Sequence, residues 1–167
     1  MALFEPIFGA LNDNHVRYVV VGGLATVLHG FARLTADIDL IVDLAPDEAR
    51  RAVTTLAGLG FRPRVPVDML DYADPEIRRR WIDEKGMRVL SLWDPAQPMR
   101  ELDLFVDPPI DFALLWAHSE IVHIRGALVR IASIPDLIAM KRLAGRPEDM
   151  IDIRALEEIQ KRKGPRS

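Results

Sequence analysis

The sequence predicts an α+β fold in which a mixed β-sheet is covered by helices, with a helical C-terminal part over about residues 133–163. Short β-branched runs such as Val19-Val20-Val21 are typical of buried strands, and they alternate with segments whose apolar residues recur at helical spacing. Because no linker or repeat divides the chain, we expect residues 1–167 to form one domain.

Helices are expected where apolar residues recur every three or four positions, with proline in several first turns. These segments are residues 3–11, 24–29, 46–59, 75–85, 112–117, 135–143 and 147–160. Strands are expected where apolar residues form short β-branched or alternating runs. They are residues 18–21, 37–40, 87–93 and 101–107, and a hairpin of residues 121–124 and 128–131 around Gly126.

Composition excludes several classes of protein. The chain has no cysteine, so disulfides and thiolate metal sites are ruled out. It has no signal-peptide pattern and no long apolar run, so we expect a cytoplasmic protein that does not span a membrane. A net charge of −3 argues against binding nucleic acid by bulk electrostatics, although it does not exclude a brief RNA substrate.

Positive charge is clustered at Arg78-Arg79-Arg80 and at Lys161-Arg162-Lys163 with Arg166. Such runs can contact phosphates, but they are more often solvated helix faces or tails, and we expect the second here. The four histidines lack the spacing of a zinc site, and no Walker loop, dinucleotide fingerprint or serine nucleophile elbow is present.

A glycine pair, Gly22-Gly23, ends the first strand abruptly and precedes a predicted helix. Glycine lets the backbone approach a ligand closely, and the unpaired N–H groups of a helix start favour a phosphate. We therefore expect Gly22 and Gly23 to bind a nucleotide phosphate.

Two aspartates, Asp37 and Asp39, alternate with apolar residues on the next strand. Side chains two positions apart point to the same face of a strand, roughly 6 to 7 Å from each other. Such close carboxylates repel each other, and a hard divalent cation with oxygen ligands relieves the repulsion. A solvated polar face is the plainer interpretation, but the glycine turn before the acids favours a metal site.

A third acid, Asp103, lies on a later predicted strand, with Leu102 and Leu104 pointing to the other face. Three carboxylates of this kind can hold two Mg²⁺ ions about 3.5 to 4 Å apart, an arrangement that activates a hydroxyl nucleophile and stabilises a leaving group. The pattern therefore indicates nucleotidyl transfer, with Asp37, Asp39 and Asp103 as both metal ligands and catalytic residues.

These elements resemble the signature of the nucleotidyltransferase superfamily that includes DNA polymerase beta. Residues 20–25, His29-Gly30 and residues 33–39 further resemble the AbiEii toxin-like nucleotidyltransferases and their small bacterial relatives, as does the string from 137 to 153. The matched pieces bracket about residues 18–156. Many members carry Gly-Ser where this chain has Gly22-Gly23, so any phosphate contact here must come from backbone N–H groups.

The resemblance implies roles for four further residues. Lys141 is expected to face the nucleotide triphosphate, and Asp149 to belong to the same catalytic region. Arg33 and Thr35, just before the acids, are expected to bind phosphate. Without the resemblance, Lys141 reads as an exposed helix lysine and Asp149 as a first-turn acid that complements a helix dipole. Arg33 could instead pair with a carboxylate, and Thr35 could cap the strand entry or donate a hydrogen bond to the turn.

The resemblance also implies partners. A nucleoside triphosphate would donate its nucleoside monophosphate, an RNA end such as that of transfer RNA would accept it, and an antitoxin protein would bind the toxin. A small hydroxylated acceptor, such as an aminoglycoside or lincosamide, is the alternative enzyme reaction. A third possibility is a module that binds a nucleotide or a partner without catalysis.

Overall fold

The computed structural model describes residues 3–165, in which helices pack on one mixed sheet of seven strands. The strands are β1 Tyr18–Val21, β2 Asp37–Val42, β3 Arg62–Pro63, β4 Val89–Asp94, β5 Gln97–Phe105, β6 Glu120–Ile124 and β7 Ala127–Ile131. The helices are α1 Glu5–Asp13, α2 Gly22–Leu28, α3 Pro46–Gly58, α4 Pro75–Lys85, α5 Phe112–His118, α6 Ile134–Ala144 and α7 Pro147–Lys163. A 3-10 helix, Met69–Ala73, precedes α4.

The strand order is β3-β4-β5-β2-β1-β7-β6. β2 pairs in parallel with β5, and β1 pairs in parallel with β7, whereas the other neighbours are antiparallel. All four residues of β1 are buried, as expected for a central strand that is covered on both faces. The centre of the sheet, where β1, β2 and β5 lie side by side, carries the predicted metal ligands Asp37, Asp39 and Asp103.

The α+β class and the mixed sheet agree with the sequence prediction, and each expected helix and strand is present in the described residues. The expected start of β4 at residue 87 was wrong, because Met87 donates its N–H to the carbonyl of Trp81 and so completes the end of α4. Gly86 supports that end with a left-handed φ of +59°. The strand β3 and the 3-10 helix were missed, since two and five residues carry too little periodicity to detect.

The basic run at residues 78–80 is not wholly a solvated face. Arg78 is buried, and its guanidinium donates to the carbonyl oxygens of Tyr72 and Leu44. It therefore links the 3-10 helix to the end of β2, whereas Arg79 and Arg80 are exposed. In the other basic cluster, Arg166 lies outside the described residues.

None of the helices within residues 3–165 combines the length and the apolar character that a membrane span requires.

Candidate active site

Three carboxylates lie on one face at the centre of the sheet. Asp39 of β2 is directly level with Asp103 of the parallel neighbour β5. Level residues of adjacent strands point to the same face about 4.8 Å apart, and Asp37 shares that face because it is two residues from Asp39. Glu101 is level with Asp37 on the same face, but it forms an ion pair with Arg64. The register thus brings together the three acids that the sequence singled out.

Ser91 of β4 fixes the orientation of the third acid. It is level with Asp103, and its hydroxyl donates a hydrogen bond of 2.6 Å to Oδ1 of Asp103. One carboxylate oxygen of Asp103 is therefore held by a neighbouring strand. No local sequence signal identifies Ser91, because its role depends on the register between β4 and β5.

The turn after β1 packs directly against Asp39. Val21 is level with Asp39 in the antiparallel pair of β1 and β2, so Gly22 follows at the same edge. A Cβ atom on Gly22 would lie 2.1 Å from Oδ2 of Asp39, and Gly22 has a φ of +68°. Glycine is required here both by this close approach and by the left-handed backbone.

The loop between α2 and β2 covers the second glycine of the pair. A Cβ atom on Gly23 would lie 3.0 Å from Oγ1 of Thr35 and 3.7 Å from Cζ of Arg33. Thr35 also donates a long hydrogen bond of 3.5 Å to the carbonyl of Asp37. The structure therefore brings Arg33 and Thr35 beside the glycine turn, and their predicted contact with phosphate stays a prediction.

A group of buried charges from α6 and α7 lies over this edge of the sheet. Lys141 is only 6% exposed, and its Nζ donates to Oδ2 of Asp152 at 2.7 Å. Asp152 is 2% exposed and also forms an ion pair with Arg33. Lys141 is therefore not the exposed helix lysine of the plainer interpretation.

Asp149 caps the start of α7 by binding Arg146. The Asp149 carboxylate accepts hydrogen bonds from the backbone N–H of Arg146 at 3.1 Å and from its Nε at 3.0 Å. Burial acts to raise the pKa of Asp149, but these hydrogen bonds outweigh burial and lower the pKa. The hydrogen bond to Asp149 correspondingly raises the pKa of Arg146.

The charge of Asp39 is the most strongly perturbed on this face. Its pKa is raised from 3.8 to about 6, mainly by burial and then by the negative charges of Asp103 and Asp37. The positive charges of Arg146 and Lys141 act in the opposite direction. Both cations are thus close enough to Asp39 to influence its charge, so acids from the sheet and bases from the C-terminal helices meet at one site.

Several solved structures share this arrangement of helices and strands. The lincomycin-bound lincosamide antibiotic adenylyltransferase LnuA superposes with a TM-score of 0.63 at 14% identity, over 95% of this chain and 97% of that one. ANT(2″)-Ia in complex with adenylyl-2″-tobramycin superposes with a TM-score of 0.61 at 16% identity, over 97% and 90%. An antigenic nucleotidyltransferase-like protein from Paracoccidioides brasiliensis superposes with a TM-score of 0.59 at 17% identity, over 95% of this chain and 73% of that one.

The chain has the nucleotidyltransferase fold. No family model and no protein of curated function matches the sequence itself, so the likeness is one of structure. The resemblance of the sequence to the AbiEii-like branch stays a prediction.

Within the nucleotidyltransferase fold, the donor set on the sheet suits a hard cation. The three aspartates offer carboxylate oxygens, which are the ligands that Mg²⁺ prefers. Among residues 3–165, however, no three histidine or acidic side chains converge on a common point as they stand. A cation bound between the three aspartates would require their side chains to turn toward it.

A cleft in the described part of the chain lies away from the carboxylate face. It has a volume of about 1030 Å³ and is lined by the end of α5, the start of α6 and the end of α7. His118 borders it, with Nδ1 at 3.0 Å from Oδ2 of Asp136. Lys141 lies eight positions after Ser133, the N-cap of α6 at this cleft, which corresponds to about 12 Å along the helix. The carboxylate face lies toward the other end of α6, where Lys141 acts on the charge of Asp39.

Proposed function

We propose that the protein is a magnesium-dependent nucleotidyltransferase, which transfers a nucleoside monophosphate from a nucleoside triphosphate to an acceptor hydroxyl and releases pyrophosphate. The observation that carries the proposal is the set of Asp37, Asp39 and Asp103 on one face of the sheet, at the centre of a nucleotidyltransferase fold. Burial and the negative charges of Asp103 and Asp37 together raise the pKa of Asp39, so a divalent cation would be bound favourably between these carboxylates.

The acidic side chains of the site would bind the metal, and the basic side chains would bind the phosphates. Asp37, Asp39 and Asp103 would hold Mg²⁺, which, when bound, lowers the pKa of an attacking hydroxyl and neutralises charge on the leaving pyrophosphate. Ser91 would keep Asp103 in the orientation that its hydrogen bond defines. Lys141, Arg33 and Arg146 would bind phosphate oxygens, with Asp149 fixing Arg146 in place. Backbone N–H groups of Gly22 and Gly23, with the Thr35 hydroxyl, would add neutral donors.

For the acceptor we favour a small hydroxylated molecule. LnuA and ANT(2″)-Ia, whose structures hold lincomycin and an adenylylated tobramycin, match at least nine-tenths of this chain and of their own. A net charge of −3 also favours an acceptor smaller than a nucleic acid. The second candidate is an RNA end, with an antitoxin as protein partner, and it is supported by the resemblance of residues 33–39 and 137–153 to AbiEii-like proteins.

The test incubates the protein with Mg²⁺ and each α-labelled nucleoside triphosphate, first with a panel of aminoglycosides and lincosamides and then with total cellular RNA. Asp39→Asn removes the central carboxylate, and Asp83→Asn on the exposed face of α4 is the matched control. We expect label in an acceptor with the wild type and Asp83→Asn, and none with Asp39→Asn. The size of the labelled product distinguishes the two acceptors.

Two other outcomes would contradict the proposal. Tight binding of nucleoside triphosphate without transfer to any acceptor would indicate a nucleotide-binding module. Failure to bind a nucleotide in the presence of Mg²⁺ would exclude the nucleotidyltransferase reaction altogether.

A further inference from the structure

Asp152 connects two cations that come from distant parts of the sequence. Its Oδ2 atom accepts a hydrogen bond of 2.7 Å from Nζ of Lys141 on α6, and the same atom accepts one from Nη1 of Arg33 in the loop before β2. We propose that Asp152 is a positioning residue that assembles Arg33 and Lys141 into one binding site for the triphosphate of the donor nucleotide. This inference rests on the proposed function.

Burial makes Lys141 dependent on this carboxylate. Lys141 and Asp152 are 6% and 2% exposed, and an ammonium group removed from water in this way is stable only when it is paired. Asp149 lies farther from Lys141, with Oδ1 at 3.8 Å, and both of its oxygens already accept hydrogen bonds from Arg146. Asp152 is therefore the principal partner of Lys141.

Arg33 occupies a different position, at the glycine turn. Its Cζ lies 3.7 Å from the place where a Cβ on Gly23 would be, and its side chain is 31% exposed. The ion pair with Asp152 draws the loop of Arg33 toward α7, so that one cation lies beside the glycines and the other acts on Asp39. Without Asp152, nothing in these contacts would hold the two cations together.

The group keeps the capacity to bind an anion. Two positive charges share one carboxylate, which leaves a net charge of +1 on Arg33, Lys141 and Asp152. The guanidinium has five N–H donors, of which Nη1 binds Asp152 and Nε makes a long contact of 3.4 Å to the carbonyl of Leu34. Remaining N–H groups can bind phosphate oxygens while the contact with Asp152 is kept, so Asp152 organises the site and does not block it.

The test measures binding of inorganic tripolyphosphate and of ATP by calorimetry in the absence of Mg²⁺, so that metal binding does not contribute. Asp152→Asn is compared with Glu157→Gln. Glu157 lies on α7, as Asp152 does, and its substitution removes a carboxylate from the exposed pair with Arg142 of α6. We expect Asp152→Asn to weaken the binding of both ligands about tenfold, as for loss of a hydrogen bond between charged groups, and Glu157→Gln to leave it unchanged. Asp152→Glu should recover part of the loss.

A second variant tests the inference where Asp152→Asn is too unstable to measure. Arg33→Gln alters a partly exposed loop residue and leaves Lys141 paired with Asp152. We expect it to weaken tripolyphosphate binding, because it removes one of the two cations that Asp152 holds together.

The outcomes separate this inference from the proposed function. If the wild type binds ATP and Asp152→Asn binds it equally or more tightly, Asp152 competes with phosphate or is irrelevant to it, and only the inference is overturned. Unchanged tripolyphosphate binding by Arg33→Gln overturns it as well. If the wild type binds neither ligand and also fails to bind ATP with Mg²⁺, the proposed function itself is wrong.

Discussion

Gly22 lies so close to Asp39 that a single added carbon would collide with the carboxylate: a Cβ on Gly22 would be 2.1 Å from Oδ2 of Asp39. The glycine that ends β1 is thus explained by contact with the central acid as well as by its own φ of +68°. The same contact supplies a way to displace Asp39 without changing its charge.

We expect Gly22→Ala to abolish transfer and to destabilise the fold. Gly86→Ala is the matched control, because Gly86 has a similar φ of +59° but no heavy atom within 4 Å of an added Cβ. Gly86→Ala should lower the free energy of unfolding only by the backbone cost of about 1 to 2 kcal/mol. Gly22→Ala should lower it by a further ~1 to 3 kcal/mol, because the added Cβ overpacks against Asp39. Equal free energies of unfolding in urea for the two variants would show that Asp39 moves aside freely.

Asp39 should make the stability of the protein depend on pH. Its pKa is about 6 in the folded protein and near the ordinary value of 3.8 in the unfolded chain. Between these two pH values the folded protein retains a proton that the unfolded chain has released. Asp39 therefore contributes stability at low pH, and this contribution is lost as the pH rises from about 4 through about 6. Without Mg²⁺, we expect Asp39→Asn to match the wild type near pH 4 and to exceed it by about 2 kcal/mol at pH 8. If urea unfolding gave the same difference in free energy between Asp39→Asn and the wild type across this pH range, the raised pKa of Asp39 would be contradicted.

Magnesium binding should compete with the same proton. A protonated Asp39 is a poor ligand, so we expect the affinity for Mg²⁺ and the rate of transfer to rise as the pH increases through about 6. Calorimetric titration with Mg²⁺ between pH 5 and 8 would show the change in affinity. Asp83→Asn, on α4, should keep this pH dependence, whereas Asp39→Asn should lose it.

Removal of the Ser91 hydroxyl should weaken the metal site without removing a ligand. Its hydrogen bond of 2.6 Å holds Oδ1 of Asp103, and loss of such a supporting contact lowers metal affinity roughly tenfold or more. We expect Ser91→Ala to require a higher Mg²⁺ concentration for half-maximal activity while its thermal stability changes little. Thr55→Ala, which removes an exposed hydroxyl from α3, should leave the Mg²⁺ requirement unchanged.

A buried ion pair on the other face of β5 from Asp103 should govern stability and not activity. Arg100 and Asp94, on the hairpin of β4 and β5, have side chains only 7% and 5% exposed and are 2.8 Å apart. Asp94→Ala would leave a buried guanidinium unpaired, so we expect a loss of about 3 to 5 kcal/mol in the free energy of unfolding. Asp107→Ala, which breaks the exposed pair with Arg88, should cost ~1 kcal/mol or less. Below the unfolding transition, both variants should transfer label normally.

Local chemistry in the sequence was sufficient to locate most of the fold. The β-branched run of β1, the alternation around Asp37 and Asp39, and prolines in the first turns of α3, α4 and α7 each act over a few neighbouring residues. Such signals can be read without knowing what packs against them. The bounds of β4 were less certain, because the end of α4 depends on a backbone hydrogen bond of Met87 rather than on periodicity.

The sequence by itself determined which acids could act together, because the two-residue period of a strand fixes the relative direction of Asp37 and Asp39, and of Asp103 and its apolar neighbours. Only the tertiary structure decided which groups meet across elements. The register of β2, β4 and β5 brings Asp39, Asp103 and Ser91 to one level, and the packing of α6 and α7 buries Lys141 against Asp152. These contacts join residues that are far apart along the chain, and their energies depend on burial and distance, which no local pattern contains.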